Sequence, residues 1–177
     1  VEQKGADAGV MISASHNSFE FNGIKLFSST GYKLSDEMEE EIEELILDRP
    51  QDMKLVSHGE VGKITYYRDA QTDYIRYIMK SIKGNLTGLR IAIDCANGSA
   101  SATAKRLFEG LGANVYVINS SPDGTNINDN CGSTHIGNLM QFVVDKKCHA
   151  GLAFDGDADR CLAVDEKGQL IDGDKLM

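Results

Sequence analysis

Three aspartates at alternate positions form the segment of this sequence with the clearest capacity for chemistry. Asp155, Asp157 and Asp159 are followed directly by Arg160, and Gly156 gives the segment freedom to curl. Three carboxylates that converge on one point need a counter-charge, and an all-oxygen ligand set favours a hard cation, Mg²⁺ or Ca²⁺. We therefore expect a divalent-cation site here. An acidic turn with solvated side chains is the alternative.

An EF-hand loop is a further alternative for this segment, and the sequence argues against it. Counting from Asp155, Glu166 reaches the position of the last EF-hand ligand, but Arg160 stands where that loop needs glycine. The flanking GLAF and CLAV runs are typical of strands, whereas an EF-hand loop lies between helices.

A second polar segment, residues 13–17 (SASHN), follows a short apolar run. Serine is not nucleophilic by itself, so a catalytic role needs a base, a metal or prior modification. No GxSxG sequence surrounds these serines, which argues against an α/β-hydrolase. Spacing alone leaves the segment open as either a polar turn or a site.

Strand and helix patterns that alternate along the chain must position these two segments. Ser35 is typical of a helix N-cap, and an apolar stripe follows it at Met38, Ile42, Leu45 and Ile46. Further helices are predicted at 67–82, 104–111 and around Leu139, and strands at 10–12, 23–27, 89–96, 114–118, 150–154 and 161–164. This order predicts an α/β fold with mixed, mostly parallel sheets and flanking helices. Both polar segments directly follow a strand, where such sheets collect ligands.

Composition excludes several classes of function. The 177 residues carry a net charge of −9, which argues against general binding to nucleic acid or to an anionic membrane. No apolar run approaches the roughly 20 residues of a membrane span. The four cysteines form no CxxC pair, so neither a zinc site nor a disulfide framework is indicated. We expect them to be small buried side chains, kept reduced in the cytoplasm.

Together, the two polar segments resemble the α-D-phosphohexomutase superfamily. The sequences VMISASHNSFEFNGIKLFS and AFDGDADRCLAVDEKG carry the resemblance. The intervening SSPDGTNINDNCGSTH is similar to the corresponding loop of the bacterial phosphoglucosamine mutases in particular. The resemblance covers essentially all 177 residues and implies repeated α/β domains of the phosphohexomutase type.

The resemblance implies a phosphoenzyme with a bound metal ion. Ser15 matches the family's phosphoserine. Asp155, Asp157 and Asp159 match three Mg²⁺ ligands, and a phosphate oxygen on Ser15 would complete the protein's side of that set.

Four further residues receive roles from the resemblance. Lys25 matches a general acid/base, and Arg160 matches an arginine close to the phosphoryl group. His16 is expected to be catalytic and Asn17 to bind phosphate, since both belong to the phosphoserine loop. Ser18 departs from the family, which usually has proline there, and this loosens the turn. Lys25 as a surface lysine and Arg160 as a structural partner of the aspartates stay open.

The implied reaction interconverts glucosamine 6-phosphate and glucosamine 1-phosphate through a sugar bisphosphate. A phosphomannomutase/phosphoglucomutase and a non-catalytic Mg²⁺-binding paralogue are the alternatives. We expect a fragment, with residues 1–48 from the end of domain 1, 49–63 a linker, 64–170 domain 2 and 171–177 the start of domain 3. Such a fragment would be inactive alone, and its oligomeric state is not predicted.

Overall fold

The computed structural model describes residues 1–176, which divide into two compact units. Val1–Ile12 and Gly23–Tyr67 form the first unit. Ser13–Asn22 belongs to the second unit, together with the residues from Arg68 onward. The predicted domain limits refer to family domains and stay a prediction. No helix within residues 1–176 has both the length and the apolar character needed to cross a bilayer.

The first unit consists of one hairpin, one helix and short turns. Strand β1 (Ala8–Ile12) pairs antiparallel with β2 (Ile24–Ser28). Helix α1 (Asp36–Leu47) begins after Ser35, whose hydroxyl accepts a hydrogen bond from the backbone N–H of Met38, so the predicted N-cap is confirmed. The 3₁₀ turns of this unit are Glu2–Lys4, Pro50–Asp52 and His58–Glu60.

The second unit is built on a five-stranded mixed sheet. Its elements follow in the order α2 (Ala70–Met79), β3 (Arg90–Asp94), α3 (Ala104–Gly110), β4 (Asn114–Ile118), α4 (Gly137–Asp145), β5 (Ala150–Phe154), β6 (Cys161–Asp165), β7 (Leu170–Ile171) and α5 (Gly173–Leu176). The strand order is β4-β3-β5-β6-β7. Strand β3 runs parallel to β4 and β5, whereas β6 and β7 are antiparallel additions. Two 3₁₀ turns, Ser99–Ala102 and Gly132–Thr134, lie in its loops.

Both faces of this sheet are covered, as the near-continuous apolar strands predict. On one face, Ile91 and Ile93 of β3 pack with Ala104 of α3. On the other face, Leu139 and Val143 of α4 pack with buried residues of the sheet. Alternate side chains of β3 therefore serve opposite faces. The predicted α/β class is confirmed, with a mixed sheet between helices.

Two expectations from the sequence are wrong in detail. Cys95, Cys131 and Cys148 are buried, but Cys161 is exposed, because it is the first residue of β6 at the end of the acidic loop. The helix predicted over 67–82 is shorter at both ends and runs from Ala70 to Met79.

Candidate functional site

Strands β5 and β6 position the acidic segment as a hairpin connection. Phe154, the last residue of β5, lies opposite Cys161, the first residue of β6, and residues 155–160 join them. The side chain of Asp155 is completely buried. Its Oδ1 accepts a hydrogen bond from the backbone N–H of Arg160 at 3.2 Å, and its carbonyl accepts one from Ala158 at 3.1 Å. The loop's own backbone therefore fixes Asp155.

The three aspartates converge as the sequence predicts. One carboxylate oxygen from each of Asp155, Asp157 and Asp159 lies within 4.8 Å of the other two. Oxygens on opposite sides of a six-coordinate ion lie about 4.2 Å apart for Mg²⁺ and about 4.8 Å apart for Ca²⁺. The all-oxygen donor set and its span fit a hard divalent cation. Burial of Asp155 is not what a solvated acidic turn would show.

The serine segment lies against these carboxylates within the same unit. The hydroxyl of Ser15 donates to Asp155 Oδ2 at 3.2 Å, and that of Ser13 donates to Asp157 Oδ2 at 3.1 Å. Ser13 Oγ also accepts a hydrogen bond from the backbone N–H of Ser15 at 3.0 Å. Two serines at alternate positions thus face two aspartates at alternate positions. Ser15 adopts a left-handed backbone conformation, with φ of 55°.

A side chain that the sequence did not single out supports the backbone of this segment. Asn128 is 6% exposed, and its amide Nδ2 donates to the carbonyl oxygen of Ser15 at 3.0 Å and to that of Asn17 at 2.8 Å. The backbone N–H of Asn17 donates to the carbonyl of Ala14 at 3.1 Å. The three contacts close residues 14–17 into a defined turn. Only the position of Asn128 within the resembling loop could have drawn attention to it.

Gly156 is required for the close approach of the acidic and serine segments. A Cβ atom built on Gly156 would lie 2.5 Å from the carbonyl oxygen of Ser15 and 2.8 Å from Asn128 Nδ2. Its own carbonyl accepts a hydrogen bond from the backbone N–H of Ser99 at 2.8 Å. The acidic loop is therefore packed between Ser15 and the loop that follows β3.

Asp94, the last residue of β3, organises the surrounding loops from a completely buried position. Its carboxylate accepts hydrogen bonds from Ala96 N, Asn119 Nδ2 and Gly132 N, at 2.9, 3.0 and 2.9 Å. Both oxygens of this buried carboxylate therefore have hydrogen-bond donors, and the carboxylate fixes the loops that contribute them. The sequence signal for Asp94 is an acidic residue at the end of an otherwise apolar strand.

Burial excludes two nearby thiols as nucleophiles. Burial, and to a lesser extent the charge of Asp94, raise the pKa of Cys95 to about 12. The same two causes, joined by the charge of Asp129, raise the pKa of Cys131 to about 11. Both thiols stay protonated near neutral pH, where only thiolates are nucleophilic.

The remaining residues that the sequence predicted for the site lie on the surface or in the first unit. His16 and Asn17 are exposed, and they line an open cavity of about 560 Å³ with Phe19, Glu20, Thr125 and His135. Arg160 is exposed at the end of the acidic loop. Lys25 lies on β2, in the first unit. The structure thus brings Ser15 together with Asp155, Asp157 and Asp159, and the roles of these residues stay predictions.

Family models and individual related sequences agree on what this chain is similar to. The family model for phosphoglucomutase/phosphomannomutase α/β/α domain II matches residues 67–168, and that for domain I matches residues 1–53. The phosphoglucosamine mutase of Clostridium perfringens is 55% identical over 173 residues, and that of Clostridium beijerinckii is 56% identical over 173 residues. These matches cover 98% of this chain and 39% of each relative, so the chain spans well under half the length of these relatives.

Solved structures share the fold. A phosphoglucomutase/phosphomannomutase family protein of Burkholderia thailandensis has a TM-score of 0.76 at 24% identity, covering 94% of this chain and 35% of that one. The Aspergillus fumigatus N-acetylphosphoglucosamine mutase, solved with GlcNAc-6P and magnesium, has a TM-score of 0.54 at 17% identity, covering 98% and 47%. Because the domain II match alone spans more than half of the chain, this chain belongs to the phosphoglucomutase/phosphomannomutase family.

Proposed function

We propose that the complete protein is a Mg²⁺-dependent phosphoglucosamine mutase, which interconverts glucosamine 6-phosphate and glucosamine 1-phosphate. The observation that carries this proposal is the hydrogen bond from Ser15 Oγ to Asp155, one of three convergent carboxylates. The relatives at 55–56% identity carry the same activity in their names. The fungal mutase bound to GlcNAc-6P and magnesium supports the substrate class and the metal.

The charge of the site ties a phosphorylated Ser15 to a bound cation. A phosphate there brings about −1.5 to −2 charges next to three carboxylates, an arrangement that needs a counter-ion. A Mg²⁺ ion bound by Asp155, Asp157 and Asp159 would supply that charge and orient the phosphoryl group. Oδ2 is the Asp155 oxygen that faces Ser15, since Oδ1 already accepts a hydrogen bond from the backbone N–H of Arg160.

The transfer step is a displacement at phosphorus. The bond between phosphorus and Ser15 Oγ breaks as a bond to a sugar hydroxyl oxygen forms, and the hydroxyl proton passes to a base. The family resemblance suggests Lys25 as this base, His16 as a further catalytic group, and Asn17 and Arg160 as phosphate-binding groups. The serine oxygen then takes a proton. The bisphosphate turns over and returns its other phosphate to Ser15, so the enzyme is regenerated.

Two substitutions in the complete protein test the proposal. Ser15→Ala removes the phosphate acceptor, and Asp157→Asn removes one anionic ligand, so we expect turnover of glucosamine 1-phosphate to fall by about a thousandfold or more. Ser28→Ala and Asp145→Asn are matched controls on exposed or partly exposed side chains outside the site. Intact mass should show about 80 Da on the wild type and none on Ser15→Ala. Turnover unchanged in both site variants would contradict the assignment.

Two other functions are distinguished by direct measurements. The matched family includes phosphoglucomutases and phosphomannomutases, so turnover of glucose or mannose phosphates in preference to glucosamine phosphates would favour that activity. A non-catalytic Mg²⁺-binding protein would bind the ion yet carry no phosphate on Ser15. We expect the 177 residues alone to have negligible mutase turnover, and we place the protein in the reducing cytoplasm, which its four free cysteines support.

A further inference from the structure

We infer that Asn128 is a positioning residue: its side-chain amide holds the Ser15 turn in the conformation that directs the serine hydroxyl at Asp155. The structural part of this inference stands on hydrogen bonds within the second unit. Its consequence for phosphoryl transfer rests on the function proposed above.

The amide of Asn128 is suited to this task because it offers two donors. One N–H of Nδ2 reaches the carbonyl of Ser15 and the other reaches that of Asn17, at 3.0 and 2.8 Å. The two acceptors flank His16, so a single planar group fixes both ends of a three-residue segment. A carboxylate or an apolar side chain of similar size has no such pair of donors.

Asn128 is itself held by the loop that follows β3. Its backbone N–H donates to the carbonyl of Ala96 at 2.9 Å, just beyond the end of β3. The side chain of Asn128 is buried, and Nδ2 would lie 2.8 Å from a Cβ on Gly156. A continuous series of contacts therefore runs from the strand end through Asn128 to Ser15.

The turn needs such support because Ser15 has a left-handed backbone. Non-glycine residues rarely adopt a φ near the observed 55°, and they keep it only where surrounding contacts determine it. If the turn relaxed toward a negative φ, the Cα–Cβ bond of Ser15 would be redirected and its hydroxyl would leave Asp155. Asn128 acts against that relaxation through Ser15's own carbonyl.

Asn128→Gly is the sharpest substitution, since glycine accepts the φ of 58° at this position without strain and removes the whole side chain with its amide. Without the two hydrogen bonds from Asn128, the turn should open more often. We therefore expect the amide hydrogens of Ser15 and Asn17, which are bonded within the turn, to lose about tenfold or more of their protection from exchange. Protection of Ile93 and Ala153 in the core should stay unchanged. Asn130→Gly is the matched control, because Asn130 has a φ of 50° in the same loop and is exposed.

Asn128→Asp adds a signature that a general packing role would not produce. Its carboxylate would face two carbonyl oxygens near neutral pH, so the turn should open. Below the pKa of the new carboxyl group, the protonated form can donate one hydrogen bond, and protection of Ser15 and Asn17 should partly return. Asn130→Asp should show no such pH dependence.

Kinetics of the complete protein extend the test to phosphoryl transfer. For Asn128→Gly we expect kcat to fall about tenfold or more with KM nearly constant, because a misaligned Ser15 affects the transfer step more than substrate binding. If the wild type lacks mutase activity while amide protection changes as described, the proposed function fails and the structural inference stands. Unchanged protection of Ser15 and Asn17 in both variants, or equal losses in the Asn130 controls, would overturn the inference.

Discussion

The two compact units bury their apolar side chains to very different extents. In the second unit, Ile93, Leu139 and Val143 are completely buried between sheet and helices. In the first unit, no residue of Val1–Ile12 or Gly23–Tyr67 is buried, and Ile24 is 70% exposed. Both units show clear apolar periodicity in sequence. Periodicity therefore identifies which face of an element is apolar, but not whether the described residues cover it.

The difference follows from how many layers each unit contains. A two-stranded hairpin with one helix offers little surface for mutual burial, and such pieces are marginal by themselves. A five-stranded sheet with helices on both faces encloses complete side chains. The candidate site belongs to the second unit, where Asp94, Asn128 and Gly156 are all buried. Precise placement of Ser15 and the aspartates thus coincides with the well-packed part of the chain.

Truncation of an apolar side chain in each unit gives the largest contrast. Leu139→Ala removes a completely buried side chain and should lower the free energy of unfolding of the second unit by about 2–5 kcal/mol. Ile46→Ala on α1 removes one that is 57% exposed and should cost less than about 1 kcal/mol. Urea unfolding with residue-resolved amide exchange measures each unit separately. Comparable costs for the two variants would mean that α1 is covered more fully than described.

The same glycine-to-alanine change should also affect the two units differently. Gly156→Ala places a methyl group against the Ser15 carbonyl and Asn128, where overpacking costs about 1–3 kcal/mol. Gly59→Ala in the first unit meets no atom within 4 Å and should change stability by less than about 0.5 kcal/mol. Thermal unfolding and Mg²⁺ titration would compare them. A Gly156→Ala variant with unaltered stability and Mg²⁺ binding would argue against the close packing of the two segments.

The smallest of the three expected differences between the units is in the stability that each loses at alkaline pH. The pKa of Cys95 is about 12 in the folded unit against 9.0 for an ordinary thiol, so the folded state favours the protonated form. Its contribution is present in full below pH 9 and is lost as pH rises toward 12, by about 1.4 kcal/mol per pH unit at most. Cys95→Ala should flatten the fall in stability of the second unit, measured by urea unfolding between pH 8 and pH 10.5.

The first unit provides the comparison for that titration. Glu39, 2.9 Å from the Lys33 ammonium, raises the pKa of Lys33, so on the alkaline side this ion pair is lost only as Lys33 gives up its proton. Because the pair is exposed, Lys33→Met should leave the pH dependence of the first unit nearly unchanged. A large loss of stability at alkaline pH in the first unit, without one in the second, would contradict the expectation that Cys95 makes the second unit the more sensitive.

The sequence predicted every strand of five residues, in the exposed first unit as well as in the second. The strands predicted at 89–96, 114–118, 150–154 and 161–164 correspond to β3, β4, β5 and β6. The two-residue β7 and the short 3₁₀ turns were not predicted, because so few residues have no periodicity. The exposure of Cys161 was missed since it depends on where a strand begins.

The candidate site was predictable only in part. Three aspartates at alternate positions in one loop carry a signal that is local in sequence. The pairing of Ser15 with Asp155 spans 140 residues, and only the family resemblance connected them in advance. Asn128 acts on main-chain carbonyls, which every residue possesses, so no side-chain pattern in residues 13–17 could reveal its partner.

The left-handed backbone of Ser15 also restricts which hydroxyl can occupy this position. Threonine carries the same nucleophilic group, but its branched Cβ makes a positive φ a genuine outlier. The backbone at this single residue therefore admits serine, the proposed phosphate carrier, and disfavours threonine, its chemically nearest substitute.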